Sequence, residues 1–465
     1  MPSLPIDNNS EQKKYNSTLT TSNINNNLIK LAWPQIGESL FWFAMTFVDL
    51  IWIGKLGLES VAILGTGQII TFFFFSLRSG IDTATRALIS RALGQNQTNY
   101  ANAILLQSIF IAIAYSLIVI LFIRTLLEST LTAINFDTEL IPHILIFMTI
   151  QGFSLMFISI QSVCSATIQS SGNSITPAKI EIGTRIIHII LSPVLIFGLL
   201  YFPKLGVYGI PITMLITRVL ASLIILEIIK SQNSIFSINV KDFTFNQNII
   251  KQLIKIAIPS SLIQLQRGLL QIVFLSIMAT QGATSISVYT VMRRLELLFI
   301  VTSTRLGSAT GIIVGHNLAI NQTKISKTAI NLALIYMFLG GILTTILICI
   351  FAYQISGIIG KDPNFIRITS MWLITISLGC ISIGGSNLLT TIISSAGKPN
   401  IPILISIISA IIIEVPVAVI LGQILNIKYF SELAIPIAII SAATIRLIII
   451  WVYEKSNRWI QTGLL

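Results

Sequence analysis

LAWPQIGESLFWFAMTFVDLIWIGKLGLESVAILG, residues 31–65, decides the fold class. Its first part belongs to an apolar run over 28–54 that lacks the polar–apolar alternation of a barrel strand and is long enough to cross a bilayer as a helix, which takes about 20 residues. Similar runs, broken by Gly, Pro, Asn or charge, follow at 61–85, 101–123, 140–168, 178–200, 206–229, 249–279, 285–314, 329–355, 365–393, 400–423 and 432–453. The sequence therefore predicts an all-α polytopic membrane protein of twelve transmembrane helices.

Composition agrees with that reading. Of 465 residues, 54% are hydrophobic and 10% charged, and the mean hydropathy is +0.87. Soluble chains carry roughly a quarter charged residues, and a water-soluble fold of this size has too little interior to hide so much apolar surface. In lipid the backbone must bond internally, which leaves helices as the solution here. Cys164, Cys349 and Cys380 lie within apolar runs and read as packing residues rather than a disulfide framework. His143, His188 and His316 lack metal-ligand spacing. No phosphate-binding Gly-rich loop occurs, so the chain does not drive itself with ATP. No metal or organic cofactor is expected. Residues 1–27 are polar, have no apolar core of a signal peptide, and read as a disordered cytoplasmic tail.

Basic residues set the orientation. Lys13, Lys14, Lys30, Arg86, Arg91, Lys179, Arg185, Lys230, Lys251, Lys324 and Lys455 fall on one side, whereas Lys55, Arg124, Lys204, Lys361, Arg367 and Lys428 fall on the other. The positive-inside rule places both termini in the cytoplasm. The net charge of +12 is explained by loops that face anionic lipid and calls for no nucleic-acid partner. The expected setting is the cell (inner) membrane, with a monomeric protein.

The chain repeats itself. LAWP at 31–34 and IAIP at 256–259 both open a long apolar run, and NQT recurs at 96–98 and 321–323, each pair 225 residues apart. TIQSSG at 167–172 and TIISSAG at 391–397 keep nearly that shift. Six spans per half is an even number, so the halves run parallel about an axis along the membrane normal. The expected organisation is a tail at 1–27, an N-lobe at 28–229, a polar basic loop at 230–248, a C-lobe at 249–453 and a cytoplasmic end at 454–465.

Charges inside spans are costly and mark candidate functional positions. Asp49 shares a helix face with Met45, Trp42 and Glu38, a stripe suited to protons or cations; the competing reading makes Asp49 a helix-end acid near Lys55. Arg78, Asp82 and Arg86, four apart, read as a self-neutralised ladder with Arg86 and Arg91 reaching the cytoplasmic surface. Ser260, Gln264, Arg267 and Gln271 form a polar stripe in the seventh span, with Arg267 at the position the repeat pairs with Trp42. Arg293 is set to pair with Glu296, and Glu414 with Arg446. His188 and Ser192 share one face of the fifth span. Gln161, Gln169 and Asn387 are polar enough to line a cavity.

These stretches resemble the multidrug and toxic compound extrusion (MATE) family. The opening segment quoted above, ISRALGQN, SSGNSITPAKI, ILSPVLIFGLL, LGVYGI, IAIPSSL, RRLELLFIVTSTRLGSATGIIVGHNLAI and SSAGKPNIPILI follow the family's order over roughly 28–453. The resemblance implies a V-shaped pair of six-helix lobes exporting small organic solutes against inward H⁺ or Na⁺. It makes Asp49 the first-span acid that binds the coupling ion in the N-lobe, with Glu38, His188 and Ser192 nearby. Trp42, Met45, Gln161, Gln264, Arg267, Gln271 and Arg293 then line the substrate cavity. The departures are specific. The fifth-span Asn-x-x-x-Asp-Pro of many prokaryotic members reads His188-Ile-Ile-Leu-Ser192-Pro193. Met214, next to Thr213, stands at the sixth-span Thr. Arg267 stands at the seventh-span acid, and Gly385 falls near the tenth-span one. Hard cations prefer several oxygen ligands, so this set leans toward H⁺. A lipid-linked oligosaccharide flippase shares the wider superfamily architecture and is the competing transporter reading. An intramembrane transferase would need an Asp-rich or His–acid motif at the membrane face, which the sequence lacks.

Overall fold

A computed structural model describes residues 23–56, 58–133, 139–231, 236, 244–279, 283–359, 362–421 and 433–460. Residues 1–22 of the N-terminal tail, most of the 230–248 loop and the last five residues lie outside the described residues; the tail expected to run to residue 27 gives way to helix at Ile24. Helix is the regular structure of the rest. The elements are α1 (Ile24–Gly54), α2 (Leu58–Gly94), α3 (Thr98–Thr125), the short α4 (Leu127–Ala133), α5 (Ile141–Ser170), α6 (Ile175–Phe197) and α7 (Gly209–Lys230). They continue with α8 (Gln247–Ala279), α9 (Ala283–Ala319), α10 (Thr323–Ile359), α11 (Pro363–Leu378), α12 (Cys380–Ser395), α13 (Asn400–Ser409), α14 (Val415–Val419) and α15 (Ala434–Lys455). Twelve helical segments result among the described residues when α11–α12 and α13–α14 each count once and the seven-residue α4 is left out.

Two spans that read as uninterrupted runs are irregular. α11 and α12 meet at a 48° bend beside Gly379, where a Cβ would lie 2.3 Å from Ile440 Cγ1 of α15. Between α13 and α14, Ala410–Glu414 forms a π-helical turn. Pro416, just beyond it, has no N–H to return to the preceding turn, and a wider turn accommodates the lost bond.

The repeat is visible in the backbone. Asn96 (φ 59°) and Asn321 (φ 60°) are both left-handed, a conformation Asn tolerates. Each ends a long helix in the same way: Gln97 N–H donates to Ala92 O at 2.8 Å, and Gln322 N–H to Asn317 O at 2.8 Å. Gly172 (φ 95°) and Gly397 (φ 92°) close α5 and α12, where the positive φ needs a residue without Cβ. Pro34 in α1 and Pro259 in α8 match as well.

The chain forms two compact units, one over Ile29–Ser261 and one over Leu262–Leu464 joined by Ile24–Leu28. The first half of α8 belongs to the first unit. There Tyr100 donates to Gln252 at 3.2 Å, and Ser261 Oγ donates to Leu77 O. The core of the first unit is largely aliphatic, centred on Leu88, Ile104, Val163 and Ile225, and that of the second mixes aromatic and aliphatic side chains, centred on Phe274, Met292, Ile376 and Ile439.

Polarity is inverted relative to a soluble protein. Ile118, Ile411 and Ile412 are about two-thirds exposed, whereas Asp49, Arg78 and His188 are 4% or less. Apolar side chains on the outside and charges within are stable where the surrounding solvent is hydrocarbon.

Candidate functional site

In the first unit, α1 and α6 present matching stripes. On α1 the spacing 4, 3, 4 puts Glu38, Trp42, Met45 and Asp49 on one face. On α6 the same spacing aligns Glu181, Arg185, His188 and Ser192. Asp49 meets His188 Nε2 at 3.1 Å from each carboxylate oxygen, and Ser192 Oγ donates to Oδ1 at 3.2 Å. All three residues are buried. The reading of Asp49 as a surface acid near Lys55 is thereby excluded; Lys55 instead lies over the Trp52 ring at 4.3 Å. His188 Nδ1 is buried without a hydrogen-bond partner among the described residues. One turn back, Arg185 Nη1 lies 3.9 Å from Met45 Sδ. Glu38 is buried and Trp42 half-buried on the same α1 face.

A second network, which the sequence reading missed, lies between α5, α6 and α7. Glu181 binds Arg185 at 2.7 Å and Arg218 Nη1 at 3.0 Å. Gln161 donates to Glu181 at 2.6 Å and accepts from Arg218 at 3.1 Å. Gln161, expected to line the substrate cavity, is thus committed to this network. Arg185, counted from sequence as a cytoplasmic loop cation, is buried in it. Arg91, expected at the cytoplasmic surface, is 3% exposed, because α2 runs on to Gly94 and keeps it packed. Arg86 is half-buried and donates to Gln169 at 3.2 Å. Arg78 Nη1 meets both carboxylate oxygens of Asp82 at 3.0 Å, and Ser162 Oγ donates to Oδ2 at 2.7 Å. Signals for the missed residues existed: Arg218 is a lone cation in an apolar run, and Glu181 and Arg185 continue the helical spacing of His188 and Ser192.

The sixth-span pair Thr213 and Met214 offers little free oxygen. Met214 lines an apolar cavity with Phe74, Phe75 and Met148. Thr213 spends its hydroxyl on Gly209 O of its own helix at 2.7 Å.

The second unit holds a partly open cavity lined by Arg267, Gln271, Arg293, Glu296, Asn387, Glu414 and Arg446 among apolar walls. Gln264 lies outside it and accepts from Arg267 Nη1 at 3.4 Å. The expected pairs form: Arg293 with Glu296, and Arg446 with Glu414 at 3.3 Å. Asn387 Nδ2 donates to Ile300 O at 2.9 Å, Ser303 Oγ at 2.7 Å and Thr304 Oγ1 at 2.8 Å, which joins α12 to α9.

Lipid-facing helices in a repeated arrangement, with buried ionisable groups and an internal polar cavity, define a polytopic membrane transporter. The family is equally plain: the MatE family model matches residues 34–194 and 258–420, once in each half, and the chain belongs to the MATE family of multidrug efflux transporters. A Bacillus subtilis protein described as an uncharacterized transporter, YisQ, is 26% identical over 94% of this chain and 95% of its own. A Shewanella oneidensis FAD transporter is 23% identical over 88% and 90%. Among solved structures, an outward-facing multidrug resistance MATE family transporter of the MOP superfamily superposes with a TM-score of 0.89 at 18% identity, covering 95% of this chain and 97% of its own.

Proposed function

We propose that this protein is a secondary active antiporter that exports organic solutes by alternating access, driven by protons entering through the Asp49–His188–Ser192 cluster. It works as a monomer in the cell membrane with both termini cytoplasmic. The observation that carries the reading is the geometry at Asp49. His188 Nε2 sits equidistant from both carboxylate oxygens, where a bound cation would have to sit, and Ser192 takes a further lone pair. Na⁺ would need several oxygens converging on one point. Asp49 instead meets one imidazole and one hydroxyl. A carboxylate and an imidazole in contact share protons readily, and histidine is the side chain most often used for that purpose near neutral pH.

The cycle follows from charge. Asp49 accepts a proton from the side of higher proton activity. The protonated cluster no longer holds His188 and Ser192 as a carboxylate does, which shifts the balance between the two access states by the difference in those interactions. Release of the proton on the other side restores the pair. The test uses purified protein in vesicles with pH and Na⁺ gradients imposed separately. A pH gradient at equal Na⁺ should drive export, and Asp49→Asn should keep substrate binding while losing gradient-driven export. Export driven by Na⁺ at fixed pH, or full export by Asp49→Asn, overturns the reading.

A further inference from the structure

The geometry points to a binding site for an organic oxyanion, a carboxylate or phosphate on an apolar body, in the cavity of the second unit, with Arg267 as its anchoring cation. The proposal rests on the export reading only in making that anion the cargo.

Charge comes first. Three guanidiniums, of Arg267, Arg293 and Arg446, face the cavity against two carboxylates, of Glu296 and Glu414. Each carboxylate already has its own arginine: Glu296 holds Arg293 and Glu414 holds Arg446. Arg267 is the surplus cation. Among the described residues it forms no ion pair, and its hydrogen bond is a long one, 3.4 Å to Gln264 of its own helix. A guanidinium offers five N–H donors in a planar fork, so most of that capacity is unspent.

Location decides what this means. A cation without a counter-ion is costly where water is scarce, and its field is felt over longer distances between low-dielectric walls than in water. An oxyanion meeting the fork in bidentate fashion relieves that cost. A quaternary ammonium ligand would add to it.

The walls specify the rest of the ligand. Leu270, Phe274, Ile300, Ile383 and Ile439 line the same space. An aromatic or aliphatic body would have these side chains to lie against while its charged end meets Arg267. Gln271 and Asn387 supply polar surface beside it.

The experiment measures equilibrium binding to the purified full-length protein in detergent, without any gradient. The probes share one body: naphthyl phosphate, naphthoate and a naphthylmethyl trimethylammonium cation. Both anions should bind in preference to the cation. Arg267→Gln should weaken both anions by about tenfold or more. Arg267→Lys, which keeps the charge but loses the fork, should fall between. Tighter binding of the cation by the native protein, or unchanged anion binding by a folded Arg267→Gln, overturns the proposal. The native selectivity stands as a test even where the variant fails to fold. A second arm repeats the measurement in nanodiscs of phosphatidylcholine with and without phosphatidylglycerol. Competition by the anionic lipid identifies a headgroup as the natural source of the oxyanion; its absence identifies a free solute. Failure of gradient-driven export would leave this site standing, and failure of binding would leave proton coupling standing.

Discussion

A carboxylate inside a helical bundle keeps its place only where donors answer it, and Asp49 depends on two residues for that. Removing the imidazole would leave its charge with Ser192 alone, at a cost of about 1–3 kcal/mol for an unsatisfied buried group. His188→Gln separates support from proton handling, because a glutamine amide still donates to the carboxylate but takes up no proton. The variant should fold and bind substrate, while export driven by an imposed pH gradient falls. Native gradient-driven export in His188→Gln would remove histidine from the coupling site. At this scale the sequence reads well in one respect and poorly in another. Asp49, His188 and Ser192 were each legible as intramembrane polar residues on helix faces. That Arg185 turns inward to Glu181 while Gln161 bonds both Glu181 and Arg218 depends on which helices touch, and spacing within one helix does not reveal that.

Helix ends and helix crossings differ in how much of them can be read from residues. The ends are local. A left-handed Asn or Gly after an apolar run, at Asn96 and Asn321 or Gly172 and Gly397, is a stop signal wherever the helix goes next, and the repeat emerges from matching such signals. Crossings are not local. α9 and α12 form the most extensive pairing of the second unit, made possible by a glycine whose meaning appears only in three dimensions. A Cβ on Gly311 would lie 2.4 Å from Ser395 Cβ, whereas a Cβ on Gly340 in α10 meets nothing within 4 Å. Small residues at such contacts let backbones approach within a bilayer, where apolar area alone provides no drive for association. The same substitution should therefore act in opposite directions. Gly311→Ala should destabilise by about 1–3 kcal/mol through overpacking, and Gly340→Ala should be neutral or stabilising by up to about 1 kcal/mol through helix propensity. Thermal unfolding of the two variants in detergent checks this, and equal shifts would contradict the packing argument. The bend at Gly379 and the π turn before Pro416 escaped the sequence for a related reason, since both stretches are apolar enough to read as continuous spans.

Across the whole molecule, orientation depends on which cations reach water, and two of those used for it do not. Arg91 and Arg185 are buried, one by the length of α2 and the other by Glu181, so neither is a loop charge in the folded protein. The positive-inside argument survives their loss. Lys30, Lys179, Lys230, Lys251, Lys255, Lys324, Lys455 and Arg458 are exposed near helix ends that alternate onto one side; on the other side Lys55, Arg124, Lys204 and Arg367 are exposed, and Lys361 and Lys428 lie outside the described residues. The bias also repeats between halves, as parallel six-span units require. Labelling can check the outcome directly. Cys164 and Cys380 are buried and Cys349 is exposed, so Cys349→Ser gives a background with little reactive thiol. Ser456→Cys, just past α15, should be protected from a membrane-impermeant maleimide in intact cells and react once the membrane is permeabilised. Tyr201→Cys, beyond the end of α6 at one of the most exposed positions of the chain, should react in intact cells. The reverse pattern would place the lysine-rich ends outside. It would also put the Asp49 end of α1 on the cytoplasmic side, and the direction in which protons reach His188 would invert with it.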